Sequence, residues 1–243
     1  MHFVWHGSAA LATAASCAPA CKGLVAAVGT VTADTPQVFA DFAEGRDLRG
    51  VTVVLDSSGG SVLDAIALGR QWRALGVATT VGIVTQARDG DQARVGIVPE
   101  AYCESMCVFL LLAGAPRHVP DAAHVRVHQI WMGDRTDDAK AADYTAQDVM
   151  IIERDIGRLA SYTFEMGGSG DLLALALSVP PWEPLHELTA AELRLTHVVT
   201  EAVVAGLAPR GGHEDSADAV SAIRSTKTAQ AGGPTGAAVA APR

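Results

Sequence analysis

Three short segments carry the residue types that could do chemistry. The first is Asp56-Ser-Ser-Gly-Gly-Ser61. Two adjacent glycines after an apolar run let the backbone pass close to a ligand and aim N–H groups at it. A following helix would add the positive end of its dipole, an arrangement suited to stabilising an oxyanion. The second is Tyr102-Cys-Glu-Ser-Met-Cys-Val-Phe-Leu-Leu-Leu-Ala-Gly114, where one serine opens an apolar helical run. Such a serine can be a nucleophile whose attack leaves charge near the Met106 N–H. The third is Val125-Arg-Val-His-Gln129, a histidine at the end of a strand-like run and so a possible general base for a serine. Each segment has a plainer reading: a tight turn with a helix cap, an N-cap serine, a structural histidine.

The elements that must position these segments alternate between strand and helix. Leu24 to Val31 reads as a strand, and Thr35-Pro36 starts a helix. Val51 to Leu55 is almost wholly apolar, as expected for a parallel strand buried on both faces. A helix through Val62, Ile66 and Trp72 stops at Gly76, and Val77 to Val84 is the next strand. Residues 86–102 are polar and glycine-rich and read as a loop or insertion. Met106 to Ala113 is a helix and Val125 to Ile130 a strand. From Ala139 to Met166 the helical period returns, with Val149, Ile152, Ile156 and Leu159 on one face. This order predicts an α/β fold with a mostly parallel sheet. The candidate segments fall at carboxyl ends of strands or starts of helices, where open α/β sheets place their sites.

Composition narrows the class. The chain has 243 residues, 49% of them hydrophobic and 19% charged, enough for one globular core. Eighteen basic against 27 acidic residues leave a net charge of −9, so a polybasic nucleic-acid binder is excluded. No stretch reaches the roughly 18 strongly apolar residues of a spanning helix. Residues 1–22 read as a leader, either a degenerate export signal or a disordered segment. Residues 23–207 form the domain, and the Ala-, Gly- and Pro-rich residues 208–243 a disordered tail. The four cysteines fall in two close pairs, Cys17/Cys21 and Cys103/Cys107, which allow disulfides but lack zinc-site spacing. Neither a metal nor an organic cofactor is expected.

Taken together, the three segments resemble the Clp protease proteolytic subunit and its serine-peptidase relatives of the crotonase-like fold. That family has a Ser-Pro-Gly-Gly-Ser-Val type turn, matched by Ser57-Ser-Gly-Gly-Ser-Val62. Its nucleophile segment, Ser-Met-Gly-x-Phe-Leu-Leu-x-Ala-Gly, is matched by Ser105-Met-Cys-Val-Phe-Leu-Leu-Leu-Ala-Gly114 with one substitution and no gap. Its base segment resembles Val119 to Gln129. The resemblance runs from about Gly29 to Thr200. It is nearer still to predicted Clp-like periplasmic proteins of alphaproteobacteria, which carry Cys-x-Ser-x-Cys around the serine as Cys103-Glu-Ser105-Met-Cys107 does.

The resemblance implies a crotonase-like fold of repeated β-β-α units with a mostly parallel sheet and a protruding handle helix, here the 139–166 region. It implies Ser105 as nucleophile, His128 as general base, and the Gly59 and Met106 N–H groups as an oxyanion hole, with Gly60 allowing the close approach. It also implies a peptide or protein substrate, a homo-oligomer, and a periplasmic or secreted location, with the cytoplasm as the alternative. Two departures stand out. Glu104 puts a carboxylate beside the nucleophile, which disfavours an oxyanion and favours a protonated His128. The family's third triad acid has no clear counterpart: Glu183 is nearest, with Glu187 behind it, and either reads equally as a surface carboxylate. The lead expectation is a serine hydrolase of peptidase type. The alternatives are a catalytically silent module of the same fold that binds peptides or assembles, and a crotonase-type acyl-CoA enzyme. The Cys103/Cys107 pair is expected to be a disulfide bracketing Ser105 or two buried small residues.

Overall fold

The structure is a computed structural model that describes residues 1–7, 22–89, 92–132 and 143–200. Its centre is a mixed α/β arrangement around a mostly parallel sheet. Strands β1 (His2–Gly7), β2 (Gly23–Val28), β3 (Thr52–Asp56), β4 (Ala78–Val81) and β8 (Arg117–His118) lie side by side in the order β1-β2-β3-β4-β8. Only β1 runs antiparallel to its neighbour. Val53, Val54 and Leu55 of β3 are wholly buried, as their unbroken apolar run requires of a strand covered on both faces. Helices α1 (Thr35–Ala43) and α2 (Val62–Leu75) bring Phe39 and Trp72 into edge-to-face contact in the core.

A second, smaller sheet joins β7 (Tyr102–Glu104), β9 (His124–Val127) and β10 (His186–Glu187) in the order β10-β9-β7. A parallel bridge between Ser57 and Cys103 connects it to the chain leaving β3. Helix α3 (Met106–Leu111) follows β7 directly and is buried throughout. The long helix α4 (Ala146–Glu165) begins at a capping box in which Thr145 and Asp148 each accept the other's backbone N–H. Helices α5 (Gly170–Leu177) and α6 (Ala190–Leu195) complete the described elements. Gly69 of α2 lies against Tyr162 of α4, leaving no room for a side chain at 69, and the buried Tyr162 hydroxyl donates to the Phe109 carbonyl of α3 (3.2 Å).

Three sequence expectations change. Residues 2–7, placed in the leader, form the edge strand β1: alternation sets Phe3 inward against Phe39 (5.1 Å) and Phe42, while Val4 faces out. Residues 86–102, read as a loop, belong largely to a β-hairpin of β5 (Ile83–Asp89) and β6 (Gln92–Val98). Its apolar residues recur at every second position, so Val84, Val95 and Ile97 share a face that covers Leu24 and Val54. The run Val77 to Val84 breaks at Gly82, whose N–H donates to the Leu55 carbonyl, and so divides between β4 and β5. Cys17, Cys21 and the 208–243 tail lie outside the described residues, as does the start of the 139–166 helical reading. Among the described residues no helix is long and apolar enough to cross a membrane.

Candidate active site

Ser105 sits at the junction of β7 and α3 with φ 55° and ψ −123°. A side-chain-bearing residue there is strained by ~1–3 kcal/mol and persists only where its surroundings hold it. They hold it from several sides. Its N–H donates to the Arg126 carbonyl of β9 (2.8 Å). The preceding strand is fixed to Ser57 by two backbone hydrogen bonds, Ser57 N–H to the Tyr102 carbonyl and Glu104 N–H to the Ser57 carbonyl. Cys103 and Cys107, both fully buried, are joined by a disulfide that spans the turn. A sharp strand-to-helix turn of this kind presents a serine hydroxyl outward at the head of a helix.

The glycine turn packs directly against it. Gly59 has φ 89°, and a Cβ there would come within 2.7 Å of the Glu104 carbonyl oxygen and the Met106 nitrogen. Gly60 (φ 130°) is bridged to Val31, whose N–H donates to the Gly59 carbonyl (2.7 Å) and whose carbonyl accepts from Ser61 (3.0 Å). The two expected oxyanion donors are therefore neighbours, but they are not equivalent. Met106, the first helical residue, has no intrahelical acceptor for its N–H, and no side chain caps it. The Gly59 N–H already donates to the Ser57 hydroxyl (3.1 Å), which itself donates to the Gly29 carbonyl (2.7 Å).

His128 lies just beyond the end of β9 and lines the same cavity as Ser105, a space of about 460 Å³. That is the size of an ordinary small-ligand site. The ring is half-buried, and desolvation holds its pKa below the ordinary histidine value, against an opposing hydrogen bond with the Gln129 backbone and the field of Glu104. At neutral pH it is the uncharged imidazole a general base requires. No carboxylate among the described residues hydrogen-bonds to it. Glu183 is exposed in a turn closed by its own N–H on the Pro180 carbonyl (3.0 Å). That segment is tied to the base through Gln129 N–H on the Val179 carbonyl (3.0 Å). Among the described residues no group of three or more His, Cys, Asp or Glu side chains could hold a metal ion.

The register of the small sheet places Glu104, Arg126 and Glu187 opposite one another in a row across β7, β9 and β10. Arg126 donates to Glu104 (3.2 Å) and to Glu187 (3.0 Å), and Glu187 also meets His124 (2.9 Å). These partners, His124 foremost, hold the Glu187 carboxyl below the usual range. The sequence shows Glu104 only as a carboxylate beside the nucleophile; its pairing with Arg126 comes from the strand register. The available signal was that Arg126 stands two residues before His128, in the same strand-like run of the sequence.

No protein-family model matches the chain, and no curated protein matches it. The geometry around Ser105 and His128 therefore carries the functional reading.

Proposed function

We infer that the protein is a serine hydrolase of peptidase type, built on the fold of the Clp proteolytic subunit and its crotonase-like relatives. The observation that carries this is Ser105, held at a positive φ between β7 and α3, facing a cavity it shares with His128. In the proposed reaction the Ser105 hydroxyl oxygen adds to a peptide carbonyl carbon while its proton passes to the His128 ring. The resulting oxyanion lies against the Met106 N–H, and against the Gly59 N–H once that group turns from Ser57. Collapse breaks the C–N bond, and His128 returns the proton to the leaving amine. Water then adds to the acyl-enzyme with His128 again as base, releasing the acid and restoring Ser105. Glu104 beside the nucleophile is compatible with this because Arg126 is bound to it. A Ser-His pair without an orienting carboxylate works slowly.

The Cys103–Cys107 disulfide supports an oxidising compartment, periplasmic or extracellular. A homo-oligomer packed through α4 follows from the family resemblance. A second reading, a silent peptide-binding module of the same fold, is favoured by the engagement of Gly59 N–H with Ser57 and by the lack of a carboxylate on His128 among the described residues. Fluorophosphonate labelling of wild type, Ser105→Ala and His128→Ala, with the adduct mapped by mass spectrometry, separates the two. An adduct on Ser105 lost in both variants is expected. A folded protein with no adduct would establish the silent module.

A further inference from the structure

The cavity beside Ser105 is apolar along its walls, with Val62, Met106, Phe109, Ile152, Leu173 and Leu177 among them. One carboxylate interrupts that lining. Asp155 is the one acidic residue that lines the cavity among the described residues, and no lysine or arginine lines it. Its position on α4 is unexpected. Ile152, Asp155, Leu159 and Tyr162 recur at helical spacing on one face, and Leu159 and Tyr162 are fully buried. An aliphatic residue at 155 would continue that stripe. Instead the stripe holds a carboxylate whose side chain is only 15% exposed. Two partners reach it, Arg154 Nε at 3.0 Å and Arg158 at 3.6 Å, and both take Oδ1. Their side chains are about half exposed (48% and 50%), whereas that of Asp155 is not. Among the described residues Oδ2 has no hydrogen-bond partner.

We propose that Asp155 is a specificity-determining residue that makes the cavity select a lysine or arginine side chain on the acyl side of the scissile bond. An unbranched methylene stem suits the apolar walls, and its cationic end meets a partly desolvated carboxylate whose two arginine partners both sit on Oδ1, leaving Oδ2 open among the described residues. This deepens the hydrolase reading and rests on it, since it takes the cavity as the site of the acyl residue.

The test compares two acyl-capped aminoalkyl diphenyl phosphonates, one built on lysine and one on norleucine, which has a similar stem without the charge. The lysine probe is expected to modify Ser105 about tenfold faster, the worth of one hydrogen bond to a charged group. In Asp155→Asn the ratio should fall to about one, and in the Arg154→Gln/Arg158→Gln double variant it should rise as the competing guanidinium groups are removed. A norleucine probe as fast as the lysine probe on wild type overturns the proposal, whatever the variants do. A separate arm uses Ser105→Ala, which needs no chemistry. N-acetyl tripeptide amides ending in lysine or norleucine are titrated against the intrinsic tryptophan fluorescence, with a Trp131→Phe control, since Trp131 also lines the cavity. The lysine peptide should bind about tenfold tighter, and equal affinities sink the proposal. If neither phosphonate modifies wild-type Ser105, the hydrolase reading falls, and the binding ratio alone then decides the role of Asp155.

Discussion

Glu104 is the residue whose charge most threatens the proposed chemistry, because a carboxylate next to the nucleophile opposes a second negative charge. Arg126 answers it across the strand pair, and the pH dependence should reveal the balance. In the proposed reaction His128 can take the proton only when neutral, so labelling of Ser105 should rise with pH. Its midpoint should lie below the ordinary histidine value, because burial disfavours the imidazolium. Glu104 favours that imidazolium, so Glu104→Gln should move the midpoint lower still. Arg126→Gln exposes His128 to an unscreened carboxylate and should move it higher, and the double variant should fall below wild type. A midpoint that is the same in all four proteins would dissociate this row from the base. The sign for stability follows from proton uptake: the unfolded chain binds a proton at His128 more readily than the folded one. Stability from this group is therefore complete above the unfolded pKa and declines as pH falls through it.

At the scale of the element, the turn β7-Ser105-α3 is the unit that matters, and the disulfide is its brace. The bond closes a very short loop, for which the chain-entropy account gives about 2 kcal/mol. Reduction, or replacement of both cysteines by alanine, should lower the melting temperature and slow Ser105 labelling together, since the same bond opposes relaxation of the strained serine. Unchanged labelling and melting temperature after reductant would show that the backbone hydrogen bonds suffice. The Ser105 segment was legible in the sequence because its signals are local: a polar residue, an apolar helix after it, and flanking cysteines at i−2 and i+2. The β3 run and the glycine turn were legible for the same reason. The hairpin of β5 and β6 was not, since its polar and glycine residues outweigh a weak alternation whose meaning depends on the Leu24 and Val54 surface it covers. Strand β1 was hidden likewise, because Phe3 declares its inward direction only once α1 supplies Phe39. The Glu104–Arg126–Glu187 row needs the register of three strands that are remote in sequence, and no local pattern encodes that.

Across the whole molecule, a pair of arginines joins parts that share no sheet. Arg117, buried on β8, donates to the carbonyls of Leu112 (3.0 Å), Gly114 and Met166 (2.7 Å). Arg73 of α2 donates to Leu112 and Met166 as well. The last carbonyls of α3 and α4, which no intrahelical donor can satisfy, thus converge on two guanidinium groups. No carboxylate shares this site among the described residues, and desolvation pulls the Arg117 pKa down to about 10. Arg117→Met should therefore destabilise the fold by roughly 1–3 kcal/mol through the hydrogen bonds lost at Gly114, Leu112 and Met166, the last two of which keep Arg73 as a donor, read as a lower denaturant midpoint. A neutral effect would mean that water replaces the guanidinium.

The contact between Gly69 and Tyr162 has a consequence for what the cavity can admit. Tyr162 reaches the Phe109 carbonyl only because position 69 is bare, and Phe109 and Leu159 line the cavity from α3 and α4. The two helices are thereby gauged to one separation: a bulkier residue at 69 would push α4 away and widen the gap, and a shorter one at 162 would let it narrow. The bore of the cavity is thus set by a joint between α2 and α4, and under the proposed reading an entering side chain would be sorted by calibre before its charge is read.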